Sequence, residues 1–113
     1  MQLKQSEHDI QSVIINYLQA KGWYVMRLNS GKMPYEYKGK RGMVHMLPVG
    51  TPDLMAFKDP YQAEGGVDLL FIEVKAGKNK PTDLQTMRMK ELERYGAKCM
   101  VAYGVEDLEK AGI

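Results

Sequence analysis

The architecture follows from one segment, Val67-Asp-Leu-Leu-Phe-Ile-Glu-Val-Lys75. Its middle is a run of apolar side chains without polar alternation, which is typical of a β-strand covered on both faces. We therefore predict a central strand over 67–74. Glu73 and Lys75 are two positions apart, so their side chains point to the same face of the sheet. Charged groups on a buried strand are costly unless they are paired or bind a metal, so Glu73 and Lys75 form either a salt bridge or a functional site. The alternative is that this end of the strand is simply exposed to solvent.

Elements on both sides of this strand are predicted from hydrophobic spacing and from turn residues. The apolar run 53–57 forms a hairpin with the central strand, because residues 59–66 have the chemistry of a turn. A strand-helix-strand crossover follows, with a helix that opens at Pro81-Thr82-Asp83 and ends at Gly96. The other predicted elements are a helix over 7–21 capped by Ser6, strands over 23–28, 43–47 and 99–103, and a helix over 105–110. This order predicts a mixed α/β sheet flanked by helices.

Composition excludes several classes of protein. A chain of 113 residues and 12.9 kDa suits a single domain. No apolar run approaches the roughly 18 residues of a membrane span, and the first residues lack a signal peptide's apolar segment, so we expect a soluble intracellular protein without a membrane partner. The single Cys99 excludes an intrachain disulfide and a thiolate zinc site. No glycine-rich phosphate loop is present, so no nucleotide cofactor is predicted.

Positive charge is concentrated in residues 27–45. The net charge of +2 is too small to indicate a nucleic-acid partner by itself. This basic segment, however, has five basic residues against the single acid Glu36: Arg27, Lys32, Lys38, Lys40 and Arg41. Its tyrosines and glycines favour a hairpin or loop that embraces a phosphate backbone. A solvated loop without a partner is the alternative.

Asp53 is the second acid that a structural role explains poorly. It starts the strand before the central strand, and strand pairing would bring it next to Glu73. Carboxylates on adjacent strands supply the oxygen ligands that Mg²⁺ or Mn²⁺ prefers. The ammonium of Lys75 could orient an attacking water or offset charge on a phosphate. The alternative for Asp53 is a simple turn acid after Pro52.

These motifs resemble a known nuclease family. Gly50-Thr51-Pro52-Asp53-Leu54, then Glu73-Val74-Lys75, then a helix with Gln85, resemble the VRR-NUC family, the virus-type replication-repair nuclease domain of the PD-(D/E)xK superfamily. That family is similar to Holliday junction resolvases and includes the nuclease domain of the Fanconi-associated nuclease. The resemblance spans the chain from Glu7 to Tyr103. It implies a restriction-endonuclease-like core and, since small stand-alone members occur in phages and bacteria, a phage-encoded or bacterial protein of the host cytoplasm.

The resemblance also implies a role for each matched position. Asp53 and Glu73 would bind Mg²⁺ or Mn²⁺ together with the backbone carbonyl of Val74, and Glu7 would bind it directly or through water. Lys75 would position the nucleophilic water, and Gln85 would support the site. The implied DNA contacts are Arg27 and Ser30, which the basic segment extends with Lys32, Lys38, Lys40 and Arg41.

The expected function is that of a divalent-metal-dependent DNA endonuclease in DNA repair. We expect it to hydrolyse phosphodiester bonds in branched DNA such as a Holliday junction and to act as a homodimer, since a junction has two-fold symmetry. A nickase or restriction-like nuclease on ordinary duplex is one alternative. A non-catalytic nucleic-acid-binding module and a metal-free structural protein are the others.

Overall fold

The computed structural model describes residues 5–28, 31–58 and 67–113. Within these ranges the chain forms three helices and six strands. The helices are α1 (Glu7–Ala20), α2 (Asp83–Arg94) and α3 (Val105–Lys110). The strands are β1 (Tyr24–Arg27), β2 (Lys32–Tyr37), β3 (Lys40–His45), β4 (Leu54–Lys58), β5 (Asp68–Val74) and β6 (Lys98–Ala102). The turn predicted over 59–66 lies outside the described residues.

Four of these strands form one mixed sheet with the order β1-β4-β5-β6. Strand β4 is antiparallel to β1 and to β5, whereas β6 is parallel to β5. Strand β5 is therefore interior, as its unbroken apolar run predicts, and α2 makes the crossover to β6. The predicted mixed α/β sheet with flanking helices is confirmed.

The two faces of the sheet are covered by different helices. Leu70, Ile72 and Val74 of β5 pack with Leu54 and Ala56 of β4 against α1 and α3. The contributing helix residues on that side are Ile10, Ile14, Leu18 and Leu108. Full burial of each such side chain stabilises the fold by about 1.5–3 kcal/mol. By strand alternation the side chains of Leu69, Phe71 and Glu73 lie on the opposite face of β5, the side of α2.

Both longer helices begin with a capping box. In α1 the hydroxyl of Ser6 accepts from the backbone N–H of Asp9, and the carboxylate of Asp9 accepts from the N–H of Ser6. In α2 the same exchange joins Thr82 and Gln85. An N-cap of this kind contributes about 1 kcal/mol. The predicted cap at Ser6 is confirmed.

Strands β2 and β3 form a separate antiparallel hairpin. Its two-residue turn is Lys38-Gly39, with φ values of 49° and 75°. Positive φ at both positions is what a tight type I′ turn requires. The residues of the hairpin are almost all exposed, and the radius of gyration of 16.1 Å exceeds the roughly 13 Å of a compact chain of this length. The sequence favoured a hairpin or loop in this region and placed one strand over 43–47; the hairpin is present, but β2 was not placed.

None of the helices that the structure describes has the length and hydropathy needed to cross a membrane.

Candidate active site

Asp53 and Glu73 lie opposite each other where β4 and β5 meet. Leu54 pairs with Ile72, so Asp53 stands across from Glu73 one step further along the ladder. The Oδ2 atom of Asp53 accepts a hydrogen bond of 2.8 Å from the backbone N–H of Val74. The carbonyl of Asp53 accepts another from the N–H of Leu28, also 2.8 Å long. The predicted convergence of the two acids is therefore present, and Asp53 is fixed from both sides.

Glu73 is a buried carboxylate with one oxygen engaged and one free. The residue is 2% exposed. Its Oε1 atom accepts a hydrogen bond of 3.1 Å from Nε2 of Gln85 and lies 3.6 Å from Nζ of Lys75. Its Oε2 atom is buried and has no hydrogen-bond partner within the described part of the chain. While Glu73 is ionised, this unsatisfied buried acceptor costs about 1–3 kcal/mol. Protonation of Glu73, which allows a side-chain hydrogen bond with Asp53, or a bound cation would remove that cost.

The surroundings of Glu73 change its acidity. Burial, and after it the neighbouring carboxylate of Asp53, raise the pKa of Glu73 from 4.5 to about 8, although Lys75 opposes both effects. Without a cation, Glu73 is therefore mostly protonated at neutral pH. A divalent ion at Oε2 would favour the ionised form, so binding of the ion and loss of the proton are coupled.

Lys75 shares the buried face with Glu73. Its side chain is 11% exposed and its ammonium pairs with Oε1 of Glu73. Its backbone N–H donates to the carbonyl of Ala102 on β6, at 3.1 Å. The alternative interpretation, in which Glu73 and Lys75 mark a solvent-exposed strand end, is wrong, because the two residues are only 2% and 9% exposed.

Helix α2 fixes both sides of the site. Gln85 caps the helix through its Oε1 atom and binds Glu73 through Nε2. One turn later, the Nε and Nη2 atoms of Arg88 both donate to the carbonyl of Val49, at 3.2 and 3.1 Å. Gly50 packs directly on the helix, since a Cβ there would lie 2.9 Å from the carbonyl oxygen of Leu84. The segment Val49-Gly50, which precedes Asp53, therefore packs against α2.

Sequence reasoning missed Arg88 and the packing role of Gly50. The spacing Thr82-x-x-Gln85 is the signature of a capping box, and Arg88 follows Gln85 at a helical interval of three residues. That interval places Arg88 on the same side of α2 as Gln85. It does not reveal the partner, because Val49 is 39 residues away in the chain.

The structure does not group Glu7 with Asp53 and Glu73. Among the described residues, no three His, Cys, Asp or Glu side chains lie together as a metal-binding set. Glu7 begins α1 and is partly exposed, and α1 packs on the face of the sheet opposite α2. Its role as a metal ligand therefore stays a prediction. The same holds for the carbonyl of Val74, whose N–H is bound to Asp53.

The predicted DNA contacts fall into two places. Arg27 pairs with Leu54, next to Asp53, and its Nη2 atom donates to Oγ of Ser12 at 2.8 Å. The other predicted DNA contacts that the structure describes are exposed on the β2–β3 hairpin: Lys32, Lys38, Lys40 and Arg41. Arg41 lies 3.7 Å from Glu36. Ser30 lies outside the described residues.

No family model, no curated protein and no solved structure matches this chain. The resemblance to VRR-NUC nucleases therefore stays a prediction, and function is inferred from the geometry of the site. Two carboxylates and an ammonium group share one covered face of a sheet. Hard oxygen ligands and a nearby cation suit a divalent metal that acts on a phosphate ester.

Proposed function

We propose that this chain is a divalent-metal-dependent DNA endonuclease with the PD-(D/E)xK core of the VRR-NUC family. The observation that carries the proposal is the buried Oε2 atom of Glu73. This atom has no hydrogen-bond partner among the described residues, and Glu73 lies next to a second acid, Asp53. Most buried side-chain oxygens have a hydrogen-bond partner, and the only group that raises the pKa of Glu73 through a side-chain hydrogen bond is the second acid, Asp53. An acid that keeps one buried oxygen free supports a role as a metal ligand.

The residues present fit Mg²⁺ or Mn²⁺. Asp53 and Glu73 would supply carboxylate oxygens, while the proposed further ligands are the carbonyl of Val74 and, directly or through water, Glu7. When bound, the metal would supply Lewis-acid stabilisation of the charge that builds on the scissile phosphate. Such ions leave several coordination positions to water and substrate, so two protein carboxylates suffice.

The other side chains would act on the water and the phosphate. The Lys75 ammonium, held 3.6 Å from Glu73, would orient the attacking water and offset negative charge at the phosphorus. Gln85 would position Glu73 through its hydrogen bond to Oε1. Arg27, next to Asp53 in the register, would contact a DNA phosphate.

Branched DNA such as a Holliday junction is the proposed substrate, with repair as the setting. A homodimer would present two identical sites to two opposing strands of a junction. The exposed lysines of the β2–β3 hairpin would bind the phosphate backbone next to the cut.

A cleavage experiment tests this proposal. Labelled four-way junction, flap and linear duplex are incubated with Mg²⁺, with Mn²⁺ or with EDTA. We expect paired metal-dependent nicks in the junction that vanish in Glu73→Gln. The matched control is Asp68→Asn, because Asp68 is an exposed acid on the same strand. Metal-dependent cutting of duplex alone would keep the chemistry and discard the junction.

A non-catalytic nucleic-acid-binding module is the second candidate function. It is favoured by the absence, among the described residues, of a third acid grouped with Asp53 and Glu73. It predicts intact DNA binding without cleavage of any of the three substrates, with either metal.

A further inference from the structure

The β2–β3 hairpin has two chemically different faces. The register pairs Met33 with Val44, Tyr35 with Gly42 and Tyr37 with Lys40. Because side chains alternate, these six residues share one face of the ribbon, which we call the tyrosine face. The opposite face is formed by three other pairs: Lys32 with His45, Pro34 with Met43 and Glu36 with Arg41. Both aromatic side chains of the exposed ribbon are thus on the same face.

Gly42 lets Tyr35 lie flat across the hairpin. A Cβ atom at Gly42 would lie only 2.7 Å from Cε1 and from the hydroxyl oxygen of Tyr35. The ring therefore occupies the space over the opposite strand that a side chain would otherwise fill. Tyr35 remains 47% exposed and Tyr37 67% exposed. The tyrosine face therefore carries two aromatic rings that are open to solvent.

Cations border these rings. The Nζ atom of Lys38 lies 5.4 Å from the ring centroid of Tyr37, and Lys40 pairs with Tyr37 in the register. Residues 32–45 carry four basic side chains and one acidic side chain, Glu36. Open aromatic rings with neighbouring lysines are the combination that binds unpaired nucleotides, because rings stack on bases and ammonium groups hold phosphates.

We propose that the tyrosine face stacks on unpaired bases at the branch point of the DNA substrate. This inference rests on the proposed nuclease function and deepens it, since it names the substrate feature that the hairpin recognises. In an intact duplex each base is already stacked between neighbours and offers no free surface. A flap exposes the faces of its unpaired bases. The open centre of a four-way junction exposes the faces of its innermost base pairs, so the hairpin prefers branched DNA to duplex.

A second copy of the chain fits this face less well. Each strand has six residues, so the face is roughly 20 Å long and, with side chains, about 10 Å wide. That area of about 200 Å² is far below the roughly 800 Å² per partner of a stable interface. Two hairpins of the same positive charge would also repel each other, whereas a polyanion is attracted.

Fluorescence of 2-aminopurine tests the proposal without cleavage. The base analogue is placed unpaired at a branch point, and in a second oligonucleotide it is placed inside a duplex, with EDTA present throughout. We expect the wild-type chain to quench the unpaired probe. We expect Tyr35→Leu with Tyr37→Leu to lose the quenching and to weaken branched-DNA binding about tenfold or more. Duplex affinity should change less than twofold.

Three variants serve as controls. Tyr35→Phe with Tyr37→Phe keeps both rings and should retain quenching. Tyr95→Leu removes an exposed tyrosine at the end of α2 and should also behave as wild type. Gly42→Ala displaces the ring of Tyr35 while leaving every lysine in place, and should reduce quenching in part. Circular dichroism of each variant verifies that the fold is kept.

The outcomes separate this inference from the nuclease proposal. Quenching that depends on the tyrosines supports the inference even where no DNA is cleaved. Equal quenching by the leucine variant overturns it, even where cleavage is intact. Conversion of a dimer into a monomer by the leucine variant in sedimentation velocity, with unchanged quenching, would also overturn it and identify the tyrosine face as an interface between copies.

Discussion

The site between β4 and β5 and the β2–β3 hairpin are held in place by different forces. Glu73 is 2% exposed beneath α2, whereas Tyr37 is 67% exposed at the tip of the hairpin. The site depends on long-range packing of a sheet and two helices. The hairpin depends on its own ladder and its two-residue turn, and an isolated two-stranded ribbon is only marginally stable in water. The proposed chemistry thus lies in the rigid, buried site, and the proposed DNA binding lies on the hairpin, which can adjust its shape.

Removing the ammonium group from the site should have the largest effect. We expect Lys75→Met to reduce single-turnover cleavage about 10²- to 10³-fold, the usual loss when one stabilising group in an active site is removed. DNA affinity should change little, because the hairpin cations remain. Lys78→Met is the matched control, since Lys78 is exposed in the loop that follows. Full activity of Lys75→Met would remove this residue from the proposed mechanism.

Removing positive charges from the hairpin should weaken DNA binding and leave the metal site intact. Lys38→Gln, Lys40→Gln and Arg41→Gln together should weaken DNA binding about 10²-fold at low salt and reduce the slope of log K against log salt by about 3, since each lost phosphate contact contributes about 0.9. Metal affinity should stay within twofold. Fluorescence anisotropy across a salt series measures this, and an unchanged slope would contradict the hairpin's role in DNA binding.

Gly50, which packs against α2 before Asp53, offers a test with a smaller expected effect, on the stability of the fold. Gly50 has a φ of 88° and a Cβ there would contact the backbone of Leu84 at 2.9 Å. We expect Gly50→Ala to lower the free energy of unfolding by about 2–3 kcal/mol, from backbone strain and from the clash.

Gly77→Ala is the control for that substitution. Gly77 also has positive φ, at 59°, but a Cβ there meets nothing within 4 Å, so only strain of about 1–2 kcal/mol applies. Urea denaturation of both variants separates the two costs. Equal losses of stability would show that the contact between Gly50 and Leu84 is unimportant.

The change in stability with each pH unit is the smallest of the expected effects. In EDTA, the pKa of Glu73 is about 8 in the folded chain and 4.5 is its ordinary value. Between these values the folded state holds the proton and the unfolded state releases it, so stability falls as pH rises. The slope is at most about 1.4 kcal/mol per pH unit. Glu73→Gln should flatten it in urea titrations from pH 5 to 8, and an unchanged slope would assign the effect to other groups.

Sequence alone predicted much of the sheet and the central part of the site. The interior position of β5, the cap at Ser6 and the approach of Asp53 to Glu73 all follow from local periodicity and strand pairing. Strand β2 was missed because Lys32, Pro34 and Glu36 all lower strand propensity. Proline is tolerated there because each strand of a two-stranded hairpin has an open edge. The contact between Arg88 and Val49 depends on how a distant loop packs, which periodicity does not encode.

Manganese binding tests the central claim most directly, because the free oxygen of Glu73 is the feature that carries it. Isothermal titration of Mn²⁺ into the wild-type chain, with electron paramagnetic resonance of the bound ion, should show a site whose affinity falls at least tenfold in Glu73→Gln and in Asp53→Asn. Asp68→Asn should bind as wild type. Equal Mn²⁺ affinity in wild type and Glu73→Gln would contradict a metal centre at this pair of carboxylates.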